Sequence, residues 1–242
     1  MRFAVSFFGL LLLLFTAASA RAEGAPVSVW VVGDSTAQPL DQGFAALHKA
    51  DPRLRVRTFF KNSSGLLRTD VIDWPKTMRA ELTNGAPAVV VLSFGPNDAQ
   101  GMLVRGKRTP VSMGTEEWRD EYARRVRNFA ELFLARGCRV YLLLQPFDEA
   151  KKHAPLMRDV NAAFAKAVLL AGTGQERLAL FDVPALIERG TQERAAASPD
   201  KKPAALKNAD GIHLTFAGGA WVSRNLTERI AADAAAIREV SK

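Results

Sequence analysis

The chain of 242 residues is 48% hydrophobic and 24% charged, and its 33 lysine and arginine residues outweigh 25 acidic residues to give a formal charge of +8. These values are close to those of ordinary soluble domains, so they exclude a chain that is disordered, collagen-like or coiled coil throughout. With a single cysteine, the chain can form neither an internal disulfide nor a cysteine-rich zinc cluster.

The first segment has the three parts of a secretory signal peptide. Arg2 supplies a positive charge, an apolar run extends from Phe3 to Phe15, and small residues before Glu23 provide A-x-A-like cleavage sites. The alternative is a membrane anchor, but the run is shorter than the roughly 18 to 20 residues that a spanning helix needs. We therefore predict that residues 1–22 are removed on export to the periplasm or the medium.

Residues 23–242 then form the predicted mature protein, a single domain. Removing the two arginines of the signal peptide lowers the basic residues from 33 to 31 against 25 acidic ones, which leaves a charge of +6. An exported basic protein is expected to associate weakly with anionic envelope surfaces, and nucleic acid is not expected as a partner. The sequence does not indicate an oligomeric state.

Short apolar runs alternate with longer helical patterns along this domain. The runs predict strands at Val27–Val32, Leu54–Phe60, Ala86–Phe94, Cys138–Leu144 and Leu178–Val183. The helical patterns lie near residues 38–49, 69–82, 115–136, 156–171 and 217–239. Continuous apolar strands between helices predict an α/β fold, a three-layer α/β/α sandwich with a five-stranded parallel sheet.

Two predicted connections are longer than such units need, at residues 99–114 and 190–209. Both are expected over the carboxyl ends of the strands, where open α/β sheets bind ligands. The first carries Arg105, Lys107 and Arg108, which could face an anionic ligand, and the second is polar and predicted to be mobile. Arginines within helix 115–136, among them Arg124 and Arg125, are interpreted as a solvated face.

Four short polar segments follow strands or precede the last helix. Gly33-Asp34-Ser35 follows the first strand, Asn62–Gly65 the second and Gly95–Asp98 the third, and Asp210–His213 precedes the final helix. Each segment alone is typical of an ordinary turn. In a parallel sheet all four converge on one edge, so together they predict a site.

Together the four segments resemble those of the SGNH, or GDSL, hydrolases, which are named for a Ser, Gly, Asn and His in four sequence blocks. The corresponding residues here are Ser35, Gly65, Asn97 and His213, with Asp210 three residues before the histidine. Thr36 stands where the family name has Leu, at a position that is not catalytic. The resemblance implies a flavodoxin-like sandwich and a serine mechanism, and it looks closest to an exported bacterial subgroup of poorly defined substrate.

The residue types agree with that chemistry. A serine hydroxyl needs a base, and His213 is better placed than His48 or His153 because the latter two lie beside lysines in helical or surface-like stretches. Asp210 could accept the other imidazole N–H, or it could only cap the last helix.

The resemblance also implies an oxyanion hole. Its donors would be the backbone N–H groups of Ser35 and Gly65 and the side-chain amide of Asn97, and a glycine at position 65 would let the backbone approach the oxyanion closely. Asp34 and Asp98 are expected to hold loops.

We expect a serine hydrolase that acts on carboxylic esters and deacylates a carbohydrate or small ester in the cell envelope. The G-x-S-x-G elbow and the Walker, dinucleotide and H-E-x-x-H motifs are absent, so no cofactor or metal is expected. An O-acyltransferase that uses the same site, and a non-catalytic envelope glycan-binding module, remain alternatives. The lone thiol, Cys138, is interpreted as a buried structural residue.

Overall fold

The computed structural model describes residues 25–48, 51–170, 176–197 and 202–240. Within them, five strands form one sheet in the order β2-β1-β3-β4-β5, and every neighbouring pair is parallel. The strands are β1 Val27–Gly33, β2 Leu54–Phe60, β3 Val89–Ser93, β4 Arg139–Leu143 and β5 Leu178–Phe181. The predicted five-stranded parallel sheet is confirmed, and strand positions differ from the prediction only at their ends.

Helices cover both faces of this sheet. Their bounds are α1 Gln38–His48, α2 Trp74–Glu81, α3 Glu116–Leu134, α4 Ala154–Leu169, α5 Val183–Ala197 and α6 Phe216–Val240. Side chains of α2, α3 and α4 pack in one buried cluster and those of α1, α5 and α6 in another. The predicted three-layer α/β/α sandwich is therefore confirmed.

The alternation of side chains along β1 explains why the sheet has two cores. Trp30 and Val32 belong to the cluster under α2, α3 and α4, whereas Val29 and Val31 belong to the cluster under α1, α5 and α6. Successive side chains of a strand point to opposite faces, so an apolar residue at every position requires cover on both sides.

Helix α3 begins and ends where its sequence predicts. The hydroxyl of Thr115 caps the helix by accepting the Trp118 N–H at 3.1 Å, and Glu116 and Glu117 stand in the first turn. Just beyond the helix, Gly137 has a φ of 82°, a conformation that favours glycine. These caps define the helix that flanks the candidate site.

Two helices differ from the prediction. The pattern at residues 69–82 yields a shorter α2, because Asp73 accepts the Lys76 N–H at 2.9 Å and so starts the helix at Trp74. Helix α5 was not predicted, and the prediction that residues 190–197 belong to a long loop is wrong. Gly190 interrupts its apolar pattern because an added Cβ would lie 2.5 Å from Trp221 Nε1 of α6.

The first long connection, residues 99–114, contains no helix or strand and is nevertheless anchored. The backbones of Met102 and Val111 exchange hydrogen bonds of 3.0 and 2.8 Å, and both side chains are buried. The predicted signal peptide and residues 198–201 of the second connection lie outside the described residues. No helix in the described segments is long and apolar enough to cross a membrane.

Candidate active site

The four polar segments meet at the carboxyl edge of the sheet. Strand β1 has β2 on one side and β3 on the other, so the chain leaves these strands in opposite directions and opens a crevice between them. Backbone hydrogen bonds join the segments: the Lys61 N–H donates to Gly33 at 3.2 Å and the Asp34 N–H to Ser93 at 3.1 Å.

Ser35 stands at the start of a 3₁₀ turn, Ser35–Ala37, directly after β1. The turn approaches β3 closely, since a Cβ at Gly33 would lie 2.1 Å from the Ser93 carbonyl oxygen. Only glycine fits there, and the close approach places the half-buried Ser35 beside the crevice.

Ser35, His213 and Asp210 form a continuous hydrogen-bonded chain. The Oγ of Ser35 lies 2.9 Å from His213 Nε2, and His213 Nδ1 lies 2.8 Å from Asp210 Oδ2. The other carboxylate oxygen of Asp210 accepts the backbone N–H groups of Ile212 at 2.8 Å and His213 at 3.0 Å.

The turn that holds Asp210 also favours its ionised form. Partial burial opposes ionisation, but the Ile212 N–H and the His213 ring outweigh it and hold the pKa of Asp210 below its usual value. An ionised carboxylate has no proton to donate, so Nδ1 of His213, which faces it, must carry the imidazole hydrogen. Nε2 then has a lone pair that can accept the serine proton. This is the arrangement that activates a serine.

Asp34 is completely buried beside this chain. Its Oδ1 accepts the backbone N–H and the hydroxyl of Thr36, both at 2.8 Å, and its Oδ2 accepts from Asn97 Nδ2 at 3.3 Å. The Thr36 hydroxyl also lies 2.8 Å from Ser93 Oγ. Burial raises the pKa of Asp34 to about 6, although the hydrogen bonds from Thr36 oppose the shift.

Asp98 holds the loop that carries Gly65. Its buried carboxylate accepts the backbone N–H groups of Leu66 at 2.9 Å and Leu67 at 2.8 Å, and the Tyr122 hydroxyl at 2.6 Å. Burial raises the pKa of Asp98. A Cβ at Gly65 would lie 2.2 Å from Asp98 Oδ1, so this carboxylate requires a glycine there.

Two of the proposed oxyanion donors have hydrogens that are not used within the described part of the protein. Within the described residues the N–H of Gly65 makes no hydrogen bond, in contrast to those of Leu66 and Leu67. Asn97 keeps a second amide hydrogen beyond the one that it gives to Asp34. These groups are available to a developing negative charge.

A groove of about 450 Å³ opens beside the serine and histidine. Its lining is rich in amide side chains and includes Ser35, Gln38, Gln42, Asn208, His213 and Phe216. Phe216, the first residue of α6, leaves 60% of its surface exposed at this groove. An exposed aromatic ring among amides suits a ligand with both apolar faces and hydroxyl groups.

Cys138, the lone thiol of the chain, lies at the amino edge of the sheet, opposite the edge that carries Ser35. Cys138 is buried at the start of β4, and burial raises the pKa of its thiol. Among the described residues, no group of three or more His, Cys, Asp or Glu side chains could hold a metal ion.

Three supporting residues escape prediction from the sequence. Thr36 departs from the family pattern, and its hydroxyl joins Asp34 to Ser93. Ser93 has a weak signal, a polar residue at the end of an otherwise apolar strand. Tyr122 has none, because it occupies a core position of α3 and its hydroxyl alone reaches the site.

Comparison with known proteins agrees with the fold. The model of the family DUF459, described as a protein of unknown function, matches residues 28–229. No curated protein matches the sequence. A variant of Axe2, an acetyl xylan esterase from Geobacillus stearothermophilus, is 16% identical, covers 86% of this chain and 95% of its own, and has a TM-score of 0.57.

Two further solved structures show the same relationship. A member of the lipolytic G-D-S-L family from Veillonella parvula is 12% identical over 83% of this chain and 96% of its own, with a TM-score of 0.55. The catalytic domain of the peptidoglycan O-acetyltransferase OatA from Streptococcus pneumoniae is 16% identical over 87% and 97%, with a TM-score of 0.51. The predicted resemblance to SGNH hydrolases is thereby confirmed in the fold.

Proposed function

The chain belongs to the DUF459 family of proteins of unknown function, and from this premise and the serine–histidine–aspartate geometry we propose that it is a serine hydrolase acting on carboxylic esters. The observation that carries the proposal is the pair of hydrogen bonds, 2.9 Å from Ser35 to His213 and 2.8 Å from His213 to Asp210. Residues from opposite ends of the described chain meet in the order that nucleophilic catalysis needs.

The first half of the reaction forms an acyl-enzyme. Ser35 Oγ attacks the ester carbonyl while His213 Nε2 takes the hydroxyl proton, and Asp210 stabilises the imidazolium that results. The carbonyl oxygen becomes an oxyanion that accepts hydrogen bonds from the N–H groups of Ser35 and Gly65 and from Asn97 Nδ2. Each such donor is worth roughly 3 to 4 kcal/mol of barrier.

Collapse of this intermediate breaks the bond to the alcohol, which leaves with the proton held by His213. In the second half, His213 takes a proton from water and the hydroxide adds to the acyl carbonyl. The bond from the acyl carbon to Ser35 Oγ then breaks as His213 returns that proton to Oγ. The products are the carboxylic acid and the free serine hydroxyl, so no cofactor is consumed.

The groove beside Ser35 favours a carbohydrate as the alcohol. Amides of Gln38, Gln42 and Asn208 can exchange hydrogen bonds with sugar hydroxyls, and the exposed Phe216 ring can lie against the C–H face of a sugar. Structural neighbours that carry the name acetyl xylan esterase support this substrate class. We place the reaction outside the cytoplasm, in the periplasm or medium, because of the signal-peptide pattern in residues 1–22.

The test replaces the nucleophile and compares it with an exposed serine elsewhere. Ser35→Ala should lower the hydrolysis of nitrophenyl acetate and of an acetylated xylo-oligosaccharide by about 10⁴-fold or more, whereas Ser112→Ala in the loop after β3 should leave both rates unchanged. Unfolding curves of the two variants report that the fold is retained. Wild-type rates in Ser35→Ala would overturn the serine mechanism.

The same assay separates hydrolysis from transfer. An O-acyltransferase would pass the acyl group from Ser35 to a sugar hydroxyl in place of water, and the named O-acetyltransferase neighbour supports that alternative. Adding a non-acetylated oligosaccharide should leave free acetate as the main product. Transfer product in excess of acetate would replace the esterase proposal by the transferase. A protein that binds the oligosaccharide without turnover would instead be a binding module.

A further inference from the structure

A second groove lies between α2 and α3, apart from the one that contains Ser35 and His213. It consists of two adjoining depressions of about 250 and 550 Å³ that share Arg79 and Asn128. Its basic lining residues are Arg79, Arg124, Arg125 and Arg136. We name this feature the arginine groove.

Helical spacing produces the groove. On α3 and its C-terminal end, Arg124, Asn128, Leu132 and Arg136 recur every four residues and so form one stripe, about 18 Å long at 1.5 Å per residue. Arg79 of α2 stands opposite this stripe. The lining residues are therefore spread along α3, an arrangement that suits an extended chain better than a compact metabolite.

The arginines are only partly neutralised by the protein. Glu121 serves both Arg124 and Arg125, with contacts of 2.7 and 2.8 Å. Arg136 donates to the Leu82 carbonyl oxygen at 3.0 Å, and Arg79 has no hydrogen-bonding or ionic partner among the described residues. Glu131 also lines the groove, but it pairs with Arg127 at 3.1 Å. Four arginines thus outnumber the two nearby carboxylates, so the groove carries a net positive charge and the interpretation of Arg124 and Arg125 as a merely solvated face is incomplete.

One end of the groove is lined by the loop of the candidate oxyanion hole. Leu66, which lines its first depression, directly follows Gly65 and is held by the Asp98 carboxylate. Binding there by a polymer with one ester at Ser35 requires that the polymer also pass this loop and lie between α2 and α3. The half-buried Leu66, Pro75 and Leu132 offer apolar surface to the faces of sugar rings.

We infer that the arginine groove binds a carboxylate-bearing polysaccharide, an inference that rests on the proposed function for its link to Ser35. The planar guanidinium of arginine matches a carboxylate with two parallel hydrogen bonds, and the Asn128 amide suits sugar hydroxyls. The concave shape disfavours a lipid surface as the partner. The only aromatic side chain in the lining, Phe129, is buried, so the groove lacks a platform on which nucleic acid bases could stack.

The binding test uses polygalacturonate, which carries one carboxylate per sugar, and neutral xylan as its uncharged counterpart. Binding is measured with Ser35→Ala protein, so that the result does not depend on catalysis. Adding Arg79→Gln and Arg136→Gln should weaken polygalacturonate binding about tenfold at low salt. Arg189→Gln with Arg224→Gln removes the same charge from α5 and α6 on the opposite face, and should change the affinity less than twofold.

Each outcome decides the inference. A steep loss of affinity with salt, seen for polygalacturonate and not for xylan and reduced only by the groove variant, supports it. Equal losses in both double variants would show binding to net charge alone and overturn it. Binding to vesicles of anionic lipid without binding to polygalacturonate would assign the surface to a membrane and also overturn it.

A kinetic measurement then distinguishes failure of this inference from failure of the proposed function. With Ser35 intact, the KM for acetylated polygalacturonate should rise about tenfold in the groove variant and stay within twofold in the Arg189 and Arg224 control. Turnover with the same KM in both double variants would overturn the inference about the arginine groove and leave the proposed hydrolase function standing. Binding that depends on the groove arginines, without any turnover that depends on Ser35, would support the groove and contradict the hydrolase.

Discussion

At the residue scale, Asp34 determines which atom of the Asn97 amide faces the candidate oxyanion hole. An ionised carboxylate can only accept hydrogen bonds, so it holds the amide nitrogen rather than the oxygen beside the turn of Ser35. The same carboxylate accepts the N–H of Thr36, the residue after the proposed nucleophile. One buried charge thus aligns two parts of the site, at a cost of desolvation that its raised pKa records.

That cost should appear in the pH dependence of stability. Because burial raises the pKa of Asp34 from 3.8 to about 6, the folded protein binds more protons than the unfolded chain between these pH values, and its free energy of unfolding falls as the pH rises through them. Asp34→Asn removes this titration. The unfolding free energy of the variant minus that of wild type should therefore rise by up to about 3 kcal/mol from pH 4 to pH 8.

Denaturant unfolding of both proteins at the two pH values measures the change. Asp98 titrates in both proteins, so its effect largely cancels in the difference. A stability difference that is the same at pH 4 and pH 8 would contradict the raised pKa. The amide of the variant would also present a donor to Asn97, so we expect its esterase activity to fall at every pH.

The candidate catalytic residues could be predicted because each lies in a short motif after a strand or before a helix. Ser35 follows Asp34 directly, and Asp210 is three residues from His213, so local sequence contains the relationship. Thr36, Ser93 and Tyr122 could not be predicted, since their partners come from distant segments and the contacts exist only after the sheet has formed.

At the element scale, strands were easier to predict than helices. The three central strands β1, β3 and β4 are mostly apolar and buried on both faces, a pattern that is visible in the sequence without knowledge of neighbours. Helix α5 is harder to predict because glycine disfavours a helix interior. Its Gly190 is required by the close contact with Trp221 of α6, which the local sequence does not reveal. The close approach of α5 to α6 therefore explains why α5 could not be predicted from its own residues.

Gly190→Ala tests this explanation. Alanine favours an isolated helix by about 1 kcal/mol over glycine, yet its Cβ would lie 2.5 Å from Trp221 Nε1, so the substitution should destabilise the protein by about 1 to 3 kcal/mol. Gly101→Ala is the control, because its Cβ would approach no closer than 3.4 Å to the Val111 carbonyl oxygen. Thermal unfolding of both variants decides, and a Gly190→Ala protein as stable as wild type would refute the packing account.

At the scale of the whole molecule, Tyr122 connects the core to the site. Its ring is fully buried between Trp118 and Phe164, while its hydroxyl donates to Asp98, which in turn holds the loop of Gly65. Packing of α3 and α4 on the sheet therefore sets the position of a proposed oxyanion donor. The burial of the ring raises the pKa of Tyr122 far above its usual range, so the hydroxyl remains a donor.

Removing this hydroxyl should affect both stability and catalysis. Tyr122→Phe leaves buried Asp98 with one donor fewer, which should cost about 1 to 3 kcal/mol of unfolding free energy and lower kcat for nitrophenyl acetate. Tyr141→Phe is the matched control: its hydroxyl donates to Asp233 on the other face, away from the site, so stability should fall while kcat is retained. Equal kcat values in the two variants would contradict the claim that the Tyr122 hydroxyl supports the active site.

The direction of α6 has a practical consequence. The helix starts beside His213, and farther along, its Glu228 pairs with Arg53 before β2 and its Asp233 with Arg139 at the start of β4. It therefore runs from the carboxyl edge of the sheet to the amino edge, where β1 also begins. Both ends of the folded domain emerge on the side away from Ser35. A linker attached at either end would immobilise the protein on a solid support with the groove beside Ser35 turned toward the solution. Large polymers could then reach that groove without obstruction by the support.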